Sequence, residues 1–255
     1  MINRFLNENG VPTLPTYPKN RLQSNNRLQF SDALEFGQFG ENCISQWLVQ
    51  TLGYNVLPVY EKEGGDFKGP RYFTPSREIV APDILAIKGS RVLWVEAKHK
   101  TVFSWHRITE QWVTGIDVRH YNDYLEISRI HPFPVWLLFL HSQSETREGN
   151  GHSPVGLFGQ SLTYLEKNEN HRSDKWGNSG MVYWSHATLR QFASIKRVGA
   201  AIQIQPCDLS TLSATEENEE LDAVLSGDYA QAQSTDHADD DTADDYEARA
   251  SPWDE

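Results

Sequence analysis

Hydrophobic residues recur at helical spacing from Asp32 to Leu52. One stripe of this segment contains four aliphatic residues: Leu34, Ile44, Leu48 and Leu52. Asp32 followed by Glu35 resembles the capping box that begins a helix, and Gly53 is a residue type that often ends one. We therefore predict a helix over this segment, with Glu41 on its apolar stripe.

The next apolar segments have the length and β-branched composition of strands. Residues 54–61 predict one strand, and residues 78–88 and 91–98 predict two more. Gly89-Ser90 between the last two is a turn-forming pair, so these two strands are expected to form a hairpin.

A two-residue loop would fix the register of this hairpin. Lys88 would lie opposite Arg91, and the same register places Asp83 opposite Glu96. Because side chains alternate along a strand, Lys98 would project from the same face as Glu96, one diagonal step from Asp83.

The pattern beyond the hairpin predicts five further elements. Basic and aromatic residues from Lys98 to Arg107 precede a predicted helix that continues to about Ile127, with inner positions at Ile108, Trp112, Ile116 and Leu125. A near-continuous apolar segment, residues 134–141, is typical of a central strand covered on both faces. The remaining predictions are added strands at 155–158 and 181–184 and a short helix at 187–195.

The facing carboxylates of Asp83 and Glu96 are the main candidate for chemistry. Two like charges with Cβ atoms about 5 Å apart destabilise a sheet, so a compensating group is expected. A divalent cation with oxygen ligands is the simplest such group, and Lys98 could position a water or a phosphate oxygen beside it. The alternative is an acid–lysine cluster that is satisfied without a metal.

Pro82-Asp83 followed by Glu96-Ala97-Lys98 resembles the motif of the PD-(D/E)XK nuclease superfamily. Gly40-Glu41 followed by Leu52-Gly53-Tyr54 resembles the first helix and strand of Holliday junction resolvase-like members. The resemblance covers roughly residues 32–143. It implies an α/β fold with a restriction-endonuclease-like αβββαβ core, in which helices flank a mixed central sheet and further strands are added.

The resemblance also implies roles for individual residues. Asp83, Glu96 and the Ala97 carbonyl would hold Mg²⁺ or Mn²⁺, and Glu41 would complete the site directly or through water. Asp83, Glu96, Lys98 and Glu41 are thus the predicted catalytic set. A buried, hydrogen-bonded structural role for Glu41 stays open.

Two basic residues are the predicted phosphate contacts, Lys100 and Arg107, because the second helix of this superfamily begins near the site. Gln111, His120 and Tyr124 lie in the same region, but their spacing defines no motif.

Charged residues are distributed unevenly along the chain. Residues 208–255 contain 16 of the 35 acidic residues and one of the 23 basic residues, so their formal charge is −15, and the rest of the chain carries +3. We predict a basic N-terminal arm at 1–30, a nuclease-like domain at 31–207 and a disordered acidic tail at 208–255.

Cysteine content and hydropathy limit the cellular setting. Cys43 and Cys207 are too few for a disulfide framework or a zinc site, which favours a cytoplasmic protein. No apolar run has the ~18 residues of a membrane helix, and the first residues lack the apolar core of a signal peptide.

These patterns predict a Mg²⁺-dependent nuclease that hydrolyses DNA, with a role in recombination, repair or the processing of branched DNA. Two alternatives remain: a non-catalytic nucleic-acid-binding or assembly module of the same fold, and a protein that binds a partner through its acidic tail. A homodimer is compatible with each.

Overall fold

The computed structural model describes residues 30–58, 70–177, 179–198 and 201–206. The predicted arm up to residue 29, residues 59–69 and the predicted acidic tail lie outside these ranges. The described helices are α1 (Phe30–Gln50), α2 (Val118–Ile130), α3 (Leu162–Lys167) and a 3-10 helix (His186–Thr188).

Fifteen strands occur in the described residues. They are β1 (Asn55–Pro58), β2 (Arg71–Phe73), β3 (Glu78–Val80), β4 (Ile84–Lys88), β5 (Arg91–Lys100), β6 (Ser104–His106), β7 (Gln111–Asp117), β8 (Val135–His141), β9 (Thr146–Arg147), β10 (Gly151–His152), β11 (Gly156–Ser161), β12 (His171–Ser173), β13 (Met181–Ser185), β14 (Arg190–Val198) and β15 (Ala201–Pro206).

The largest sheet has seven strands in the order β1-β4-β5-β8-β11-β14-β15. β5 and β8 are parallel, and the other neighbouring pairs are antiparallel. The protein is therefore a mixed α/β structure with a mixed central sheet. All seven residues of β8 are buried, which confirms the prediction of a central, doubly covered strand.

The β4–β5 hairpin has the predicted register, with Lys88 opposite Arg91 and Ile84 opposite Val95. Its first arm differs from the prediction, because residues 78–88 form two strands and not one. β3 pairs with β2 in a separate two-stranded sheet, and β4 begins only at Ile84. Pro82 lies in the break, where its missing N–H makes a continuous ladder unfavourable.

α1 packs on one face of the seven-stranded sheet through a buried apolar stripe. Phe39, Ile44 and Leu48 are at most 3% exposed. Gly40 lies so close to β5 that a Cβ atom there would come within 2.3 Å of the His99 Cβ atom. The helix ends at Gln50, and Gly53 follows with a φ of 71°, as expected for a residue beyond a helix C-terminus.

A second sheet has four strands in the order β12-β13-β7-β6. Its strand β7 occupies residues for which we predicted a helix, so the prediction of a helix continuing to Ile127 is wrong over its first half. Trp112 and Ile116 are four residues apart, a spacing that also places both on the inner face of a strand. Ile108, predicted as an inner position, is 88% exposed in the β6–β7 turn.

The C-terminal part of the described chain contains one further correction. The added strands predicted at 155–158 and 181–184 correspond to β11 and β13. The short helix predicted at 187–195 is wrong, because a single 3-10 turn is followed by the long strand β14. β14 is held between β11 and β15, and this pairing outweighs local helix propensity.

One hydrophobic core lies between the two larger sheets and helices α2 and α3. Its large buried members include Tyr121, Phe139, Phe158 and Trp184. Glu96 projects into this core from β5, on the same face as Trp94. No helix among the described residues is long and apolar enough to cross a membrane.

Candidate active site

Asp83, Glu96 and Lys98 meet at the start of the β4–β5 hairpin, and we refer to them as the acid–lysine cluster. Asp83 lies immediately before β4 and is 8% exposed. The Ala97 backbone N–H donates to Asp83 Oδ2 at 3.1 Å, which fixes this carboxylate against β5. The facing arrangement expected from the hairpin register is therefore present.

Glu96 is the most deeply buried member of the cluster, with no exposed surface. Lys98 Nζ forms an ion pair with Glu96 Oε1 and lies 3.9 Å from Asp83 Oδ2. Neither oxygen of Glu96 accepts a hydrogen bond of normal geometry from the described residues. Burial of a carboxylate is costly to the fold, and the Lys98 ammonium offsets part of this cost.

Burial and the neighbouring Glu96 charge raise the pKa of Asp83 to about 7. The Lys98 ammonium and the Ala97 N–H oppose this rise without cancelling it. The two facing carboxylates therefore resist being ionised together near neutral pH, and an added cation would relieve their repulsion.

The pKa values of the two lysines of β5 shift in opposite directions. Burial disfavours the Lys98 ammonium, but the charges of Glu96 and Asp83 outweigh burial and raise the pKa of Lys98. Burial and repulsion from Lys98 lower the pKa of Lys100 to about 8. Lys100 is two residues beyond Lys98 and projects from the same face of β5, so it continues the cationic side of the site.

Glu41 is half-buried on α1, whereas its place on the apolar stripe predicted a side chain that points into the core. Its negative charge contributes to the raised pKa of Lys98, so it lies within electrostatic reach of the cluster.

Helix α2 supplies contacts that the sequence pattern did not identify. Tyr124 is 1% exposed, and its hydroxyl faces Glu96; burial and the Glu96 charge raise the pKa of Tyr124 well above its usual value. Asp123 Oδ2 accepts a hydrogen bond from the Val80 N–H at 3.2 Å and so ties α2 to the segment before Asp83. The sequence pattern placed these residues on a helix, but it did not show which residues they contact across the core.

The predicted phosphate contact Arg107 lies in the β6–β7 turn, so it is not at the start of a helix as expected. It is exposed there. Lys100 and Arg107 therefore belong to different parts of the structure, and only Lys100 shares a strand with the cluster.

The donor atoms of the cluster fit a hard divalent cation in part. Within the described ranges, no three histidine, cysteine, aspartate or glutamate side chains converge as a metal site. Mg²⁺ is nevertheless often bound through one or two carboxylates, with waters and substrate phosphates completing its shell. Glu96, which is fully buried and paired with Lys98, and Asp83 offer those two carboxylates.

No protein-family model matches the chain. No curated protein matches it either. Among solved structures, the chain is similar to Hjc of Archaeoglobus fulgidus, a Holliday junction resolvase from an archaeal hyperthermophile, with a TM-score of 0.36 and 10% sequence identity. The alignment covers 60% of this chain and 90% of the resolvase chain. This is a distant likeness of fold.

Proposed function

We propose that this protein is a metal-dependent nuclease that hydrolyses DNA phosphodiester bonds. The observation that carries the proposal is the acid–lysine cluster, in which a fully buried Glu96 and a nearly buried Asp83 share one ammonium group. Paired carboxylates with a lysine in one cleft suit phosphodiester hydrolysis, because that reaction needs both a cation site and stabilisation of developing negative charge.

Asp83, Glu96 and the Ala97 carbonyl would hold Mg²⁺, with Mn²⁺ as a substitute and Glu41 as a ligand directly or through water. When bound, the cation would lower the pKa of a water and neutralise charge at the phosphate. Lys98 keeps its proton because its pKa is raised, so it would orient the attacking water by donating hydrogen bonds. Lys98 would also stabilise the additional negative charge of the transition state.

The finer assignment is a PD-(D/E)XK nuclease with a resolvase-like core that acts on branched or recombining DNA. If the inserted strands are left out, the elements occur along the chain in the order α1, β1, β4, β5, α2 and β8. The four strands of this set are neighbours in the large sheet, in the order β1-β4-β5-β8. This order supports an αβββαβ core. The substrate class rests on the resemblance of Gly40-Glu41 and the following strand to resolvase-like proteins.

DNA would contact the positive residues near the cluster. Lys100 is the better supported of the two proposed phosphate contacts, since it lies on the same face of β5 as Lys98. Arg107 would contribute only if the DNA extends to the β6–β7 turn. Homodimer formation and a protein partner for residues 208–255 are further proposals that rest on the sequence.

The proposal is tested by incubating the full-length protein with supercoiled, linear single-stranded and four-way-junction DNA, in Mg²⁺ or in EDTA. We expect cleavage in Mg²⁺ and none in EDTA, with the junction cleaved fastest. An Asp83→Asn variant purified in parallel controls for contaminating nuclease. Equal cleavage in EDTA, or no cleavage of any substrate by the wild type, would contradict the proposal.

A non-catalytic nucleic-acid-binding module is the second candidate. The direct ion pair between Lys98 and Glu96 favours it, because this pair compensates charge without a metal. Under this alternative, the protein would bind the same DNA with equal affinity in Mg²⁺ and EDTA and would leave it intact.

A further inference from the structure

The face of α2 that meets the acid–lysine cluster extends beyond Tyr124 towards solvent. His120 lies four residues earlier, and its ring centroid is 6.1 Å from that of Tyr124. Four residues correspond to one helical turn, a rise of about 6 Å, so the two side chains share a face. Tyr124 is buried against Glu96 whereas His120 is half-buried, which places His120 at the open end of this face.

Lys98 is the most exposed member of the cluster. Its side chain is 29% exposed, compared with 12% for Asp83 and none for Glu96. Apart from burial, repulsion from Lys98 is the largest influence on His120, and it is larger than the opposing attraction of Asp83. Among the members of the cluster, His120 is therefore coupled most strongly to the most exposed one.

The charged groups that act on His120 come from two parts of the structure. Lys98 and Asp83 belong to the cluster, while Asp117 and Asp123 flank His120 on or beside α2. Burial and Lys98 lower the pKa of His120, and the three aspartates oppose this change in part. The imidazole is therefore neutral at pH 7, and a neutral imidazole has one ring nitrogen that accepts a proton.

The cluster itself contains no suitable proton acceptor. Lys98 is protonated, and Asp83 and Glu96 are committed to the cation in the proposed mechanism. Phosphodiester hydrolysis nevertheless requires a group that takes a proton from the attacking water.

We propose that His120 is the general base of the reaction, an inference that rests on the proposed nuclease function. The water oxygen bonds to phosphorus while its proton passes to the acceptor nitrogen of His120. The bond from phosphorus to the leaving oxygen breaks, and that oxygen keeps the electron pair and takes a proton from a solvent water. The imidazolium then returns its proton to solvent, which repulsion from the Lys98 charge favours.

The test compares full-length wild type with His120→Ala and with a matched control, His152→Ala. His152 is exposed on β10, where its Nδ1 atom lies 2.9 Å from Thr146 Oγ1. Steady-state cleavage of four-way-junction DNA is measured in Mg²⁺ from pH 5 to pH 9, with and without added imidazole. DNA affinity is measured in Ca²⁺, and metal affinity by calorimetry.

We expect His120→Ala to lower kcat by about 10²-fold with little change in DNA or metal affinity. Added imidazole should restore part of the lost rate, and the decrease in rate at low pH should become less steep. The His152→Ala control should match wild type and show no response to imidazole.

Two results would overturn the inference without affecting the proposed function. One is an active wild type with a His120→Ala variant of equal kcat. The other is a loss of activity that imidazole does not restore or that accompanies lost DNA or metal binding, since His120 would then support structure or binding. A wild type without Mg²⁺-dependent cleavage would overturn the proposed function itself and this inference with it.

Discussion

Two groups of polar residues in this protein differ in how completely their side chains form hydrogen bonds. In the first, the acid–lysine cluster, two buried carboxylates face one another and Glu96 accepts no hydrogen bond of normal geometry from the described residues. The second, which we name the Asn170 network, consists of four residues near the β6–β7 turn: Thr109, Gln111, Asn170 and His171.

Asn170 uses both ends of its amide in this network. Its Nδ2 atom donates to Gln111 Oε1 at 2.6 Å, and its Oδ1 atom contacts Thr109 Oγ1 at 3.3 Å and His171 Nδ1 at 2.7 Å. Neutral partners with matched donors and acceptors stabilise a fold, whereas facing carboxylates destabilise it. We therefore expect substitutions in the network to affect stability and substitutions in the cluster to affect the proposed chemistry.

Substitutions in the acid–lysine cluster should give the largest effect. We expect Asp83→Ala, Glu96→Ala and Lys98→Ala each to reduce Mg²⁺-dependent cleavage by at least about 10³-fold. In EDTA, loss of either acid should be neutral or stabilising. Loss of Lys98 should destabilise the protein by about 3 kcal/mol, because both carboxylates remain buried without a cation.

These expectations are checked by cleavage assays and by urea unfolding in EDTA. Full activity in any of the three variants would show that the substituted residue is not needed for cleavage and would contradict the proposed catalytic role of the cluster.

Glu41→Gln should have the next largest effect. The substitution removes a charge that acts on Lys98, so we expect metal affinity and cleavage to fall by about 10-fold or more. Thermal stability should change less, because Glu41 is only half-buried. Unchanged metal affinity together with a large loss of Tm would show that Glu41 is structural.

The pH dependence of stability should also distinguish the two groups. The folded pKa of Asp83 is about 7, above its ordinary value of 3.8, so the folded state binds its proton more tightly than the unfolded state does. This contribution to stability is fully present below about pH 4 and is lost as the pH rises through 7. We therefore expect Asp83→Asn to be more stable than wild type at pH 8 in EDTA.

Denaturant unfolding at pH 5 and pH 8 measures this effect, with exposed Asp174→Asn as the matched control. A difference between wild type and Asp83→Asn that is the same at both pH values would contradict the raised pKa.

Asn170→Ala should affect stability and not chemistry. Removing the amide leaves Gln111 and His171 without a shared partner, which should cost about 1 kcal/mol of unfolding free energy. Cleavage per folded molecule should equal that of wild type. A loss of activity larger than the loss of folded protein would assign this network a functional role.

The smallest effect is expected from the acidic segment at residues 208–255. Its removal changes the formal charge from −12 to +3, so DNA affinity should rise several-fold at low salt and less at high salt. Cleavage per bound complex should stay constant. Equal DNA affinities of the full-length and truncated proteins at two salt concentrations would exclude a shielding role.

The sequence alone determined the hairpin and the facing of its acids, because a two-residue turn and strict alternation of side chains are local rules. It also determined α1 and β8, whose long uniform patterns admit one interpretation. Residues 111–117 were misassigned because a four-residue spacing fits both a helix and a strand. The pairing of β7 with β6 and β13 decided between them.

Tertiary structure likewise decided which residues surround the cluster. Tyr124 and His120 were visible in the sequence but had no assigned partner, since contacts between a helix and a strand distant in the chain follow no local spacing. The break at Pro82, the long strand β14 and the exposed position of Arg107 depend on the same non-local packing. Local chemistry thus specified the acid–lysine cluster, and the interaction of Tyr124 on α2 with Glu96 on β5 determined part of its environment.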